Sequence, residues 1–370
     1  MWNRRHNNRH RSKRVHELML EEFDIIGYKI VSPLHLAALM AYASIVPTSE
    51  APLKVLVIVS NGPWNREILH RAQYQQGNFE LTYVEDGQFE LKPSISWPIT
   101  LLTLPIFSAL RGLTKRKQIP VCSPTMASLF FSSASLRHAR RFYPVVLDEG
   151  IGSYNASKVL QEEASRVTTN AIARNILFTA YWFLWRHLPV FGGVRAGLFN
   201  FKQGKPVLDL KVAETYKQMF TEGFRLKNTK FHIDPNTALI LTQPFTEYNT
   251  YTIEQEISGV ERIAKEVRQA GKNPVLKLHP AEEPGKYEKL GLRTIEYPGP
   301  VEELLAGSAG EFCEVWSFYS SSLIFGSALF DIRSIAVRTD WNSSTLDDLD
   351  EECRALFNKY AEHRDYSNGR

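Results

Sequence analysis

Short runs of apolar residues, separated by polar and glycine-containing segments, recur along both halves of the chain. Runs of this length that are rich in Val, Ile, Leu and aromatic residues predict strands buried on both faces. The clearest run in the first half is Lys54–Val59, and the clearest in the second half is Thr237–Pro244. Further strands are predicted at Phe79–Val84, Ile119–Cys122, Phe142–Leu147, Val275–Leu278 and Phe312–Tyr319. The two clearest runs lie far apart in the chain, and each suits the first strand of a domain, so they predict two α/β domains.

Segments with helical character lie between these runs. Residues 17–46 are predicted to be helical, and Ser32 and Pro33 suit an N-cap and a first helical position within that segment. A second helix is predicted at Ile253–Ala270, because Gly271 follows it at the position that glycine favours. The remaining helical predictions are Met126–Arg141 and the helical, irregular segment 156–231.

Three polar phrases each follow one of the apolar runs. They are Asp148-Glu149-Gly150, His279-Pro280 and Ser320-Ser321-Ser322. Ligand groups in open α/β sheets gather at the carboxyl ends of the strands, so a carboxylate pair, a histidine and a hydroxyl cluster are expected in one crevice. Such a set can bind a phosphate leaving group and deprotonate a hydroxyl nucleophile.

Each phrase also has an ordinary structural interpretation. Asp-Glu-Gly is a common polar turn after a strand, and its glycine allows tight turning. His-Pro is a common turn dipeptide, and a serine ahead of an apolar run can cap a helix. The ordered set of three, and not any one phrase, favours a functional site.

The three phrases resemble the Asp/Glu-Asp/Glu-Gly, His-Pro and Ser-Ser/Thr motifs of the bacterial-type sialyltransferases. The likeness is greatest to the polysialyltransferase and lipooligosaccharide sialyltransferase branches, and it extends over residues 28–330. It implies an α/β fold of the GT-B type, with two Rossmann-like domains facing across a cleft. It also implies inverting transfer of sialic acid from CMP-sialic acid to a glycan or glycolipid hydroxyl, with no metal and no other cofactor.

The resemblance implies a role for each matched residue. Asp148 matches the first acid of its motif, which is the usual general base, and Glu149 matches the second, with Gly150 allowing close approach of a substrate. His279 is implied to bind the CMP phosphate and to assist its departure, and a protonated imidazole would neutralise the charge that develops there. The implied donor-binding residues are Lys277, Leu278, Pro280, Glu302, Ser320, Ser321 and Ser322.

These donor contacts are of several kinds. Glu302 resembles a glutamate that accepts hydrogen bonds from the ribose hydroxyls, although an acid at a helix start also complements the helix dipole. Lys277 and Leu278 are implied to contact the cytosine ring through their backbone. The serines would bind phosphate at a helix N-terminus, and the family pattern favours Ser320 and Ser321 over Ser322.

Charge is concentrated at the start of the chain. The 370 residues carry a net charge of +4, but residues 1–14 hold six of the 44 Lys and Arg and no acid. The rest of the chain therefore has 38 basic and 40 acidic residues, which argues against a nucleic-acid-binding face. The basic arm is either solvated and flexible or in contact with an anionic membrane surface or glycan. The three cysteines are widely separated and odd in number, which favours a reducing compartment over a disulfide framework.

Membrane contact is also indicated by one aromatic segment. Residues 174–201 mix aromatic residues with Arg174, Arg186 and Arg195, as at a membrane interface, but a core helix explains the same pattern. The longest apolar stretch, Asn175–Trp185, is too short to span a bilayer, which needs about 20 residues. With no signal-peptide pattern, a cytoplasmic location is expected, with peripheral contact at the inner membrane face left open.

The sequence therefore predicts a sialyltransferase-like enzyme whose partners are a CMP-sugar donor and a glycan or glycolipid acceptor. Alternatives are transfer of another CMP-activated acidic sugar such as Kdo, use of a UDP- or GDP-sugar, and a catalytically silent protein that binds glycan or membrane. The predicted divisions are an arm and first-helix start at 1–27, an acceptor-side domain at 28–230, a donor-binding domain at 231–345 and a C-terminal helix and tail at 346–370.

Overall fold

The computed structural model describes residues 22–47, 52–59, 79–85, 119–124, 142–148, 150, 152–187, 194–227, 233–308, 311–342 and 347–367. The basic arm at 1–14, the predicted helix at 126–141 and Glu149 lie outside the described residues. The chain divides into two compact units, one up to Leu198 and one from Phe199 onward.

The first unit is built on a six-stranded parallel sheet. Its strands are β1 (Ile25–Ile30), β2 (Leu53–Val59), β3 (Phe79–Glu85), β4 (Ile119–Ser123), β5 (Phe142–Leu147) and β6 (Val194–Ala196), in the order β3-β2-β1-β4-β5-β6. Its described helices are α1 (Pro33–Ile45), α2 (Ala156–Val167) and α3 (Ala171–Arg186). Because helices of an α/β fold cover both sheet faces, the strands are apolar nearly throughout.

The strand β1 corrects one prediction. Residues 17–46 were expected to be helical throughout, but Ile25–Ile30 form a buried strand near the middle of the sheet. The run Ile-Ile-Gly-Tyr is apolar on both sides, as a strand buried on both faces requires. A Cβ on Gly27 would collide with the Leu39 side chain, so the absence of a side chain lets α1 pack closely against β1.

The helix α1 confirms the last part of that prediction, whereas residues 22–24 are not helical and residues 17–21 lie outside the described residues. It begins at Pro33, and the Ser32 hydroxyl oxygen accepts a hydrogen bond from the His35 N–H at 3.2 Å. Proline at the first position loses no helical hydrogen bond, because the first N–H groups of a helix have no partner inside it.

The second unit has a parallel sheet of the same connectivity, preceded by a β-hairpin. The hairpin strands are β7 (Phe199–Lys202) and β8 (Lys205–Leu208). The sheet strands are β9 (Thr237–Leu241), β10 (Asn273–Lys277), β11 (Arg293–Thr294), β12 (Phe312–Ser317), β13 (Arg333–Arg338) and β14 (Glu362–Asp365), in the order β11-β10-β9-β12-β13-β14. Its described helices are α4 (Leu210–Leu226), α5 (Ile253–Gln269), α6 (Val301–Gly307), α7 (Ser321–Phe330) and α8 (Glu351–Tyr360).

Two features of this unit bear on the predictions. The helix α5 ends as predicted, with Gly271 just beyond it at φ +73°. The sequence places α4 in the first domain, whereas in the structure α4 packs against α6 and α7, and its Tyr216 stacks with Phe325 of α7. The observed division at Leu198 and Phe199 therefore lies earlier in the chain than the predicted one.

Both sheets have the strand order 3-2-1-4-5-6 when each is numbered from its own first strand. This is the order of the Rossmann fold. The predicted α/β fold of the GT-B type, with two Rossmann-like domains, is confirmed. In such sheets the order reverses between the first and fourth strands, and ligands bind beyond the carboxyl ends of the strands at that point. In the second unit, the first and fourth strands are β9 and β12.

Candidate active site

Asp148 lies at the carboxyl end of β5 in the first unit and is almost fully enclosed, with 1% of its surface exposed. Its Oδ1 accepts a hydrogen bond from the Gly150 N–H at 3.1 Å. Its Oδ2 accepts two, from the Tyr154 hydroxyl at 2.8 Å and from the Leu198 N–H at 3.0 Å. The carboxylate thus ties the end of β5 to the turn that follows and to a residue fifty positions later in the chain.

Glycines shape this enclosure. Gly150 has φ +80°, a left-handed conformation that glycine adopts without strain. A Cβ on Gly197 would lie 2.8 Å from the Tyr154 hydroxyl oxygen, so a larger residue there would displace the tyrosine that donates to Asp148. Glycine at these two positions therefore allows the hydrogen bonds of the Asp148 carboxylate to form.

Burial raises the pKa of Asp148, and the hydrogen bonds from Leu198, Tyr154, Gly150 and Ser153 only partly oppose that effect. A raised pKa makes the carboxylate a better proton acceptor at neutral pH, which is a property of general bases. The partners Tyr154 and Leu198 were not found by sequence reasoning, since no pattern links Leu198 to the motif.

His279 follows β10 in the second unit, and it is exposed. Its backbone N–H donates to Glu282 Oε2 at 2.7 Å and to the Thr242 hydroxyl oxygen at 3.3 Å. Its Nδ1 accepts a hydrogen bond from the Ala281 N–H at 3.2 Å. In the neutral ring, the proton therefore lies on Nε2, which is left to donate to a ligand.

The pKa of His279 bears on the charge that the sequence analysis expects for its ring. Desolvation by the surrounding protein and the nearby Lys277 ammonium lower the pKa of the imidazole, and Glu247 opposes them. A lowered pKa favours the neutral ring at neutral pH. The shift therefore acts against the protonated imidazole that is expected from the sequence.

A cluster of ion pairs fixes the loop that contains His279. The Lys286 ammonium contacts carboxylate oxygens of Glu256 at 2.6 Å, Glu247 at 2.9 Å and Glu282 at 3.4 Å. The Tyr287 hydroxyl also donates to Glu282 at 2.8 Å. Ligand oxygens of the three glutamates lie within 4.8 Å of one another, a grouping that could hold a metal ion, but the lysine already provides the cation. We name this group the Lys286 cluster.

The Lys286 cluster was missed by sequence reasoning, because its members come from separate segments of the chain. Burial lowers the pKa of Lys286, but the carboxylates of Glu256 and Glu247 outweigh it and the net pKa is raised. The ammonium therefore stays charged, and through Glu282 the cluster fixes the backbone of His279.

The serine phrase begins α7, and it meets Glu302 at the start of α6. Ser320 is the N-cap, and its hydroxyl oxygen accepts from the Ser322 N–H at 3.2 Å. The Ser322 hydroxyl donates to Glu302 Oε1 at 2.7 Å, and both residues are buried. Burial raises the pKa of Glu302, and the Ser322 hydrogen bond opposes it. Ser320 and Ser321 are only half-buried.

The end of β9 connects these two groups. Thr242 bonds to the His279 N–H, while the Gln243 side-chain amide donates to the Tyr319 carbonyl at 2.7 Å and accepts from the Tyr319 N–H at 3.0 Å. The strands β10, β9 and β12 are neighbours in the sheet. The histidine and serine phrases therefore lie on one edge of the sheet, beside the point where the strand order reverses.

The remaining predicted donor residues lie on the same edge. Lys277 is the last residue of β10 and is buried, with its ammonium donating to the Leu278 carbonyl at 3.1 Å. Leu278 is half-buried and Pro280 is exposed. Asp148 and Gly150 belong to the other unit. The second unit thus brings together all the predicted donor-binding residues and His279.

The family match accords with these motifs. The sequence model of the alpha-2,8-polysialyltransferase family matches residues 105–339, which is more than half of the chain and includes all three phrases. The chain belongs to the alpha-2,8-polysialyltransferase family, a family of sialyltransferases and hence of glycosyltransferases. None of the curated proteins matches the sequence.

Several solved structures resemble the chain at low similarity. The GT-B domain of a sialyltransferase from Photobacterium damselae has 12% identity and a TM-score of 0.39, covering 93% of this chain and 99% of its own. E. coli heptosyltransferase WaaC with ADP has 13% identity and a TM-score of 0.40, covering 92% of each chain. S. aureus MnaA with UDP has 11% identity and a TM-score of 0.41, covering 91% of this chain and 87% of its own.

Proposed function

We propose that this protein is an inverting sialyltransferase that transfers sialic acid from CMP-sialic acid to a hydroxyl of a glycan or glycolipid, without a required metal ion. The observation that carries the proposal is the meeting of His279, Glu302 and the N-terminus of α7 at one sheet edge, inside the segment matched by the family. The family assignment supports sialyl transfer, while the donor, the stereochemistry and the residue roles are proposed.

The donor is held by the second unit in this proposal. The Nε2–H of His279 donates to a phosphate oxygen, and the hydroxyls of Ser320 and Ser321 bind the same phosphate together with backbone N–H groups at the start of α7. Glu302 accepts from the ribose hydroxyls, while Ser322 holds its carboxylate in place. The backbone of Lys277 and Leu278 contacts the cytosine ring, and Pro280 restricts the backbone of His279 to extended conformations.

The acceptor is activated by Asp148. The acceptor oxygen attacks the anomeric carbon, the bond from that carbon to the phosphate oxygen breaks, and CMP leaves with the bonding electrons. The acceptor proton passes to the Asp148 carboxylate, whose raised pKa supports this role. Glu149 and Gly150 support the base, and the N–H of Gly150 donates to it.

The test measures thermal stabilisation of the purified protein by CMP, CDP, UMP and GMP, with a metal chelator present. A ligand that binds only the folded protein adds RT ln(1 + [L]/Kd) to its stability, about 2.7 kcal/mol at one hundred times Kd. Cytidine nucleotides are expected to stabilise the wild type, and His279→Ala is expected to weaken that effect. A preference for UMP or GMP, or no response to CMP, would refute the cytidine donor.

Turnover then separates the remaining alternatives. With CMP-sialic acid and an oligosialic acid acceptor, as the family suggests, product formation without metal is expected. Turnover with CMP-Kdo instead would assign another CMP-activated acidic sugar. CMP binding without turnover of either donor, on any glycan acceptor, would favour a catalytically silent glycan-binding protein.

A peripheral membrane contact forms part of this proposal, and it involves α3. One face of α3 packs Phe178, Tyr181 and Trp182 into the core, while the other exposes Ile172 (74%), Ile176 (65%) and Phe183 (53%). The helix has no acidic residue, and the basic arm adds positive charge. Apolar residues among cations suit the surface of an anionic membrane. In the described part of the chain, no helix is long and apolar enough to cross a bilayer.

Vesicle binding tests the membrane contact. The protein is expected to sediment with vesicles that contain anionic lipid and not with neutral ones. The double variant Ile176→Ser, Phe183→Ser is expected to lose this binding, whereas the control Leu210→Ser, which removes an exposed apolar residue from α4, is expected to keep it. Equal binding by both variants would refute the role of α3.

A further inference from the structure

We propose that the side-chain ammonium of Lys277 is the cation that binds the phosphate of the donor, next to the N–H of His279. This inference rests on the proposed function, because it assumes a nucleotide-sugar donor. It adds a side-chain role for Lys277 to the backbone contact with the base.

The first argument is the environment of the ammonium. Lys277 is the last residue of β10 and has only 7% of its surface exposed. Its Nζ donates to the Leu278 carbonyl at 3.1 Å, and no carboxylate in the described segments forms an ion pair with it. A buried charge without a counter-ion is costly. A ligand that carries negative charge would remove that cost.

The second argument is a contrast with a lysine nine positions later. The Lys286 ammonium contacts three glutamates. Glu282, the acid whose charge acts on Lys277, already accepts from Lys286, the Tyr287 hydroxyl and the His279 N–H. These acids are therefore paired with Lys286, and Lys277 is left without an ion-pair partner among the described residues.

The third argument is position. Lys277 ends β10, and His279 follows two residues later, ahead of Pro280, which favours extended backbone at His279. In extended backbone, alternate side chains lie on the same side. Leu278, between them, packs against the hydrophobic core of the second unit. The Lys277 charge also acts directly on the His279 ring, which places the two groups near each other.

The side chains of Lys277 and His279 then have different roles in binding phosphate. The neutral ring of His279 offers an N–H but little charge, whereas a departing nucleoside monophosphate gains negative charge as its bond to the sugar breaks. A fixed ammonium stabilises charge at the place where it develops. Lys277 therefore supplies the charge, and His279 supplies a directed hydrogen bond.

The test compares CMP with cytidine, which lacks the phosphate, on the full chain without metal. The wild type is expected to be stabilised more by CMP than by cytidine. Lys277→Met is expected to lose that difference and to bind CMP about 10- to 100-fold more weakly, since a hydrogen bond to a charged group contributes roughly 1.5–3 kcal/mol. Its stabilisation by cytidine is expected to be unchanged. The matched control is Lys289→Met, which removes an exposed lysine from the short helical turn after Lys286.

The melting temperature without ligand gives an independent readout. Lys277→Met removes a buried charge that has no ion-pair partner in the described segments, so its unliganded melting temperature is expected to equal or exceed that of the wild type. A lower value than in Lys289→Met would identify a structural lysine and overturn the proposal. So would a Lys277→Met or Lys277→Gln protein that still prefers CMP to cytidine. A wild type with no response to CMP would instead refute the cytidine donor itself, and this inference with it.

Discussion

Asp148 in the first unit and His279 in the second are the proposed base and the proposed phosphate ligand, and their surroundings are opposite. Asp148 is enclosed, and its two carboxylate oxygens accept three hydrogen bonds from Gly150, Tyr154 and Leu198. His279 is exposed, is fixed through its backbone and Nδ1, and keeps Nε2 for a ligand. Replacing an enclosed, hydrogen-bonded group is expected to change stability as well as activity. Replacing an exposed ring is expected to change activity with little effect on stability.

The largest effect on stability is expected from a substitution in the Lys286 cluster, which fixes the backbone of His279. Lys286→Met would leave the buried carboxylates of Glu256 and Glu282, and the half-buried one of Glu247, without their cation. Removal of one partner of a buried ion pair costs about 3–5 kcal/mol. Urea unfolding of the second unit measures the loss, and Lys289→Met is the control. A loss under about 1 kcal/mol, the range of surface ion pairs, would show that the cluster is solvated.

The pH dependence of that variant sharpens the result. In the wild type, the Lys286 ammonium lowers the pKa of Glu247, against the raising effect of burial. The stability from that carboxylate is therefore present above its unfolded pKa, near 4.5, and is lost as the pH falls through the lower folded value. Without Lys286, burial is expected to raise the pKa of Glu247 above its unfolded value. The stability of Lys286→Met is therefore expected to rise relative to that of the wild type as the pH is lowered toward 4.5.

The next effect is expected at Asp148. Asp148→Asn keeps the shape but turns one acceptor oxygen into a donor that faces a donor, and an unsatisfied buried group costs about 1–3 kcal/mol. Activity is expected to be lost as well, because the base is gone. Denaturant unfolding and turnover check both, and an active, equally stable Asp148→Asn would contradict the closed environment and the role as base.

The pH dependence of Asp148 has the opposite sign to that of Glu247. Its folded pKa is raised by burial above the unfolded value near 3.8. Its contribution to stability is therefore greatest below pH 3.8, and it falls as the pH rises through the folded pKa. Asp148→Asn is expected to abolish that slope, which a pH series of unfolding experiments measures.

A smaller effect on stability is expected to distinguish Ser322 from Ser321. Ser322 donates to the buried Glu302, so Ser322→Ala is expected to cost about 1–2 kcal/mol and to disturb ribose binding through Glu302. Ser321→Ala is expected to change stability by less than about 0.5 kcal/mol and to weaken CMP binding. Thermal melts with and without CMP distinguish them. The reverse pattern would move the phosphate contact to Ser322.

The smallest effect on stability, with a large effect on activity, is expected for His279→Ala. Its exposed ring can be removed with a change within about 0.5 kcal/mol, as at other surface positions. Turnover is expected to fall about 100- to 1,000-fold, the typical cost of removing one donor to developing charge. If the variant were unstable but active, His279 would have a structural role, and the contrast between the two units would disappear.

Local patterns in the sequence were enough to predict much of this molecule. The apolar runs predict β2 to β5 in the first unit and β9, β10 and β12 in the second, because a strand buried on both faces needs a continuous apolar sequence. Ser32 and Gly271 mark helix ends through interactions within a few residues. The histidine, serine and glutamate of the second unit converge because each follows a strand or begins a helix at the same sheet edge.

Other features depended on residues that are distant in the sequence. The strand β1 was missed because its short apolar run is compatible with a helix, and only pairing with β2 and β4 makes it a strand. The assignment of α4 to the second unit depends on contacts such as Tyr216 with Phe325, which no local pattern contains.

By itself, the sequence determined the fold class, the family and the order of the three phrases, since these depend on local periodicity and on residue identity. Only the tertiary structure decided that Asp148 is enclosed, that the pKa of His279 is lowered, and that Lys286 has three carboxylate partners, whereas Lys277 forms no ion pair with any carboxylate in the described segments. The physical reason is that burial and electrostatic pairing act through space, between groups that chain folding brings within a few ångströms of each other.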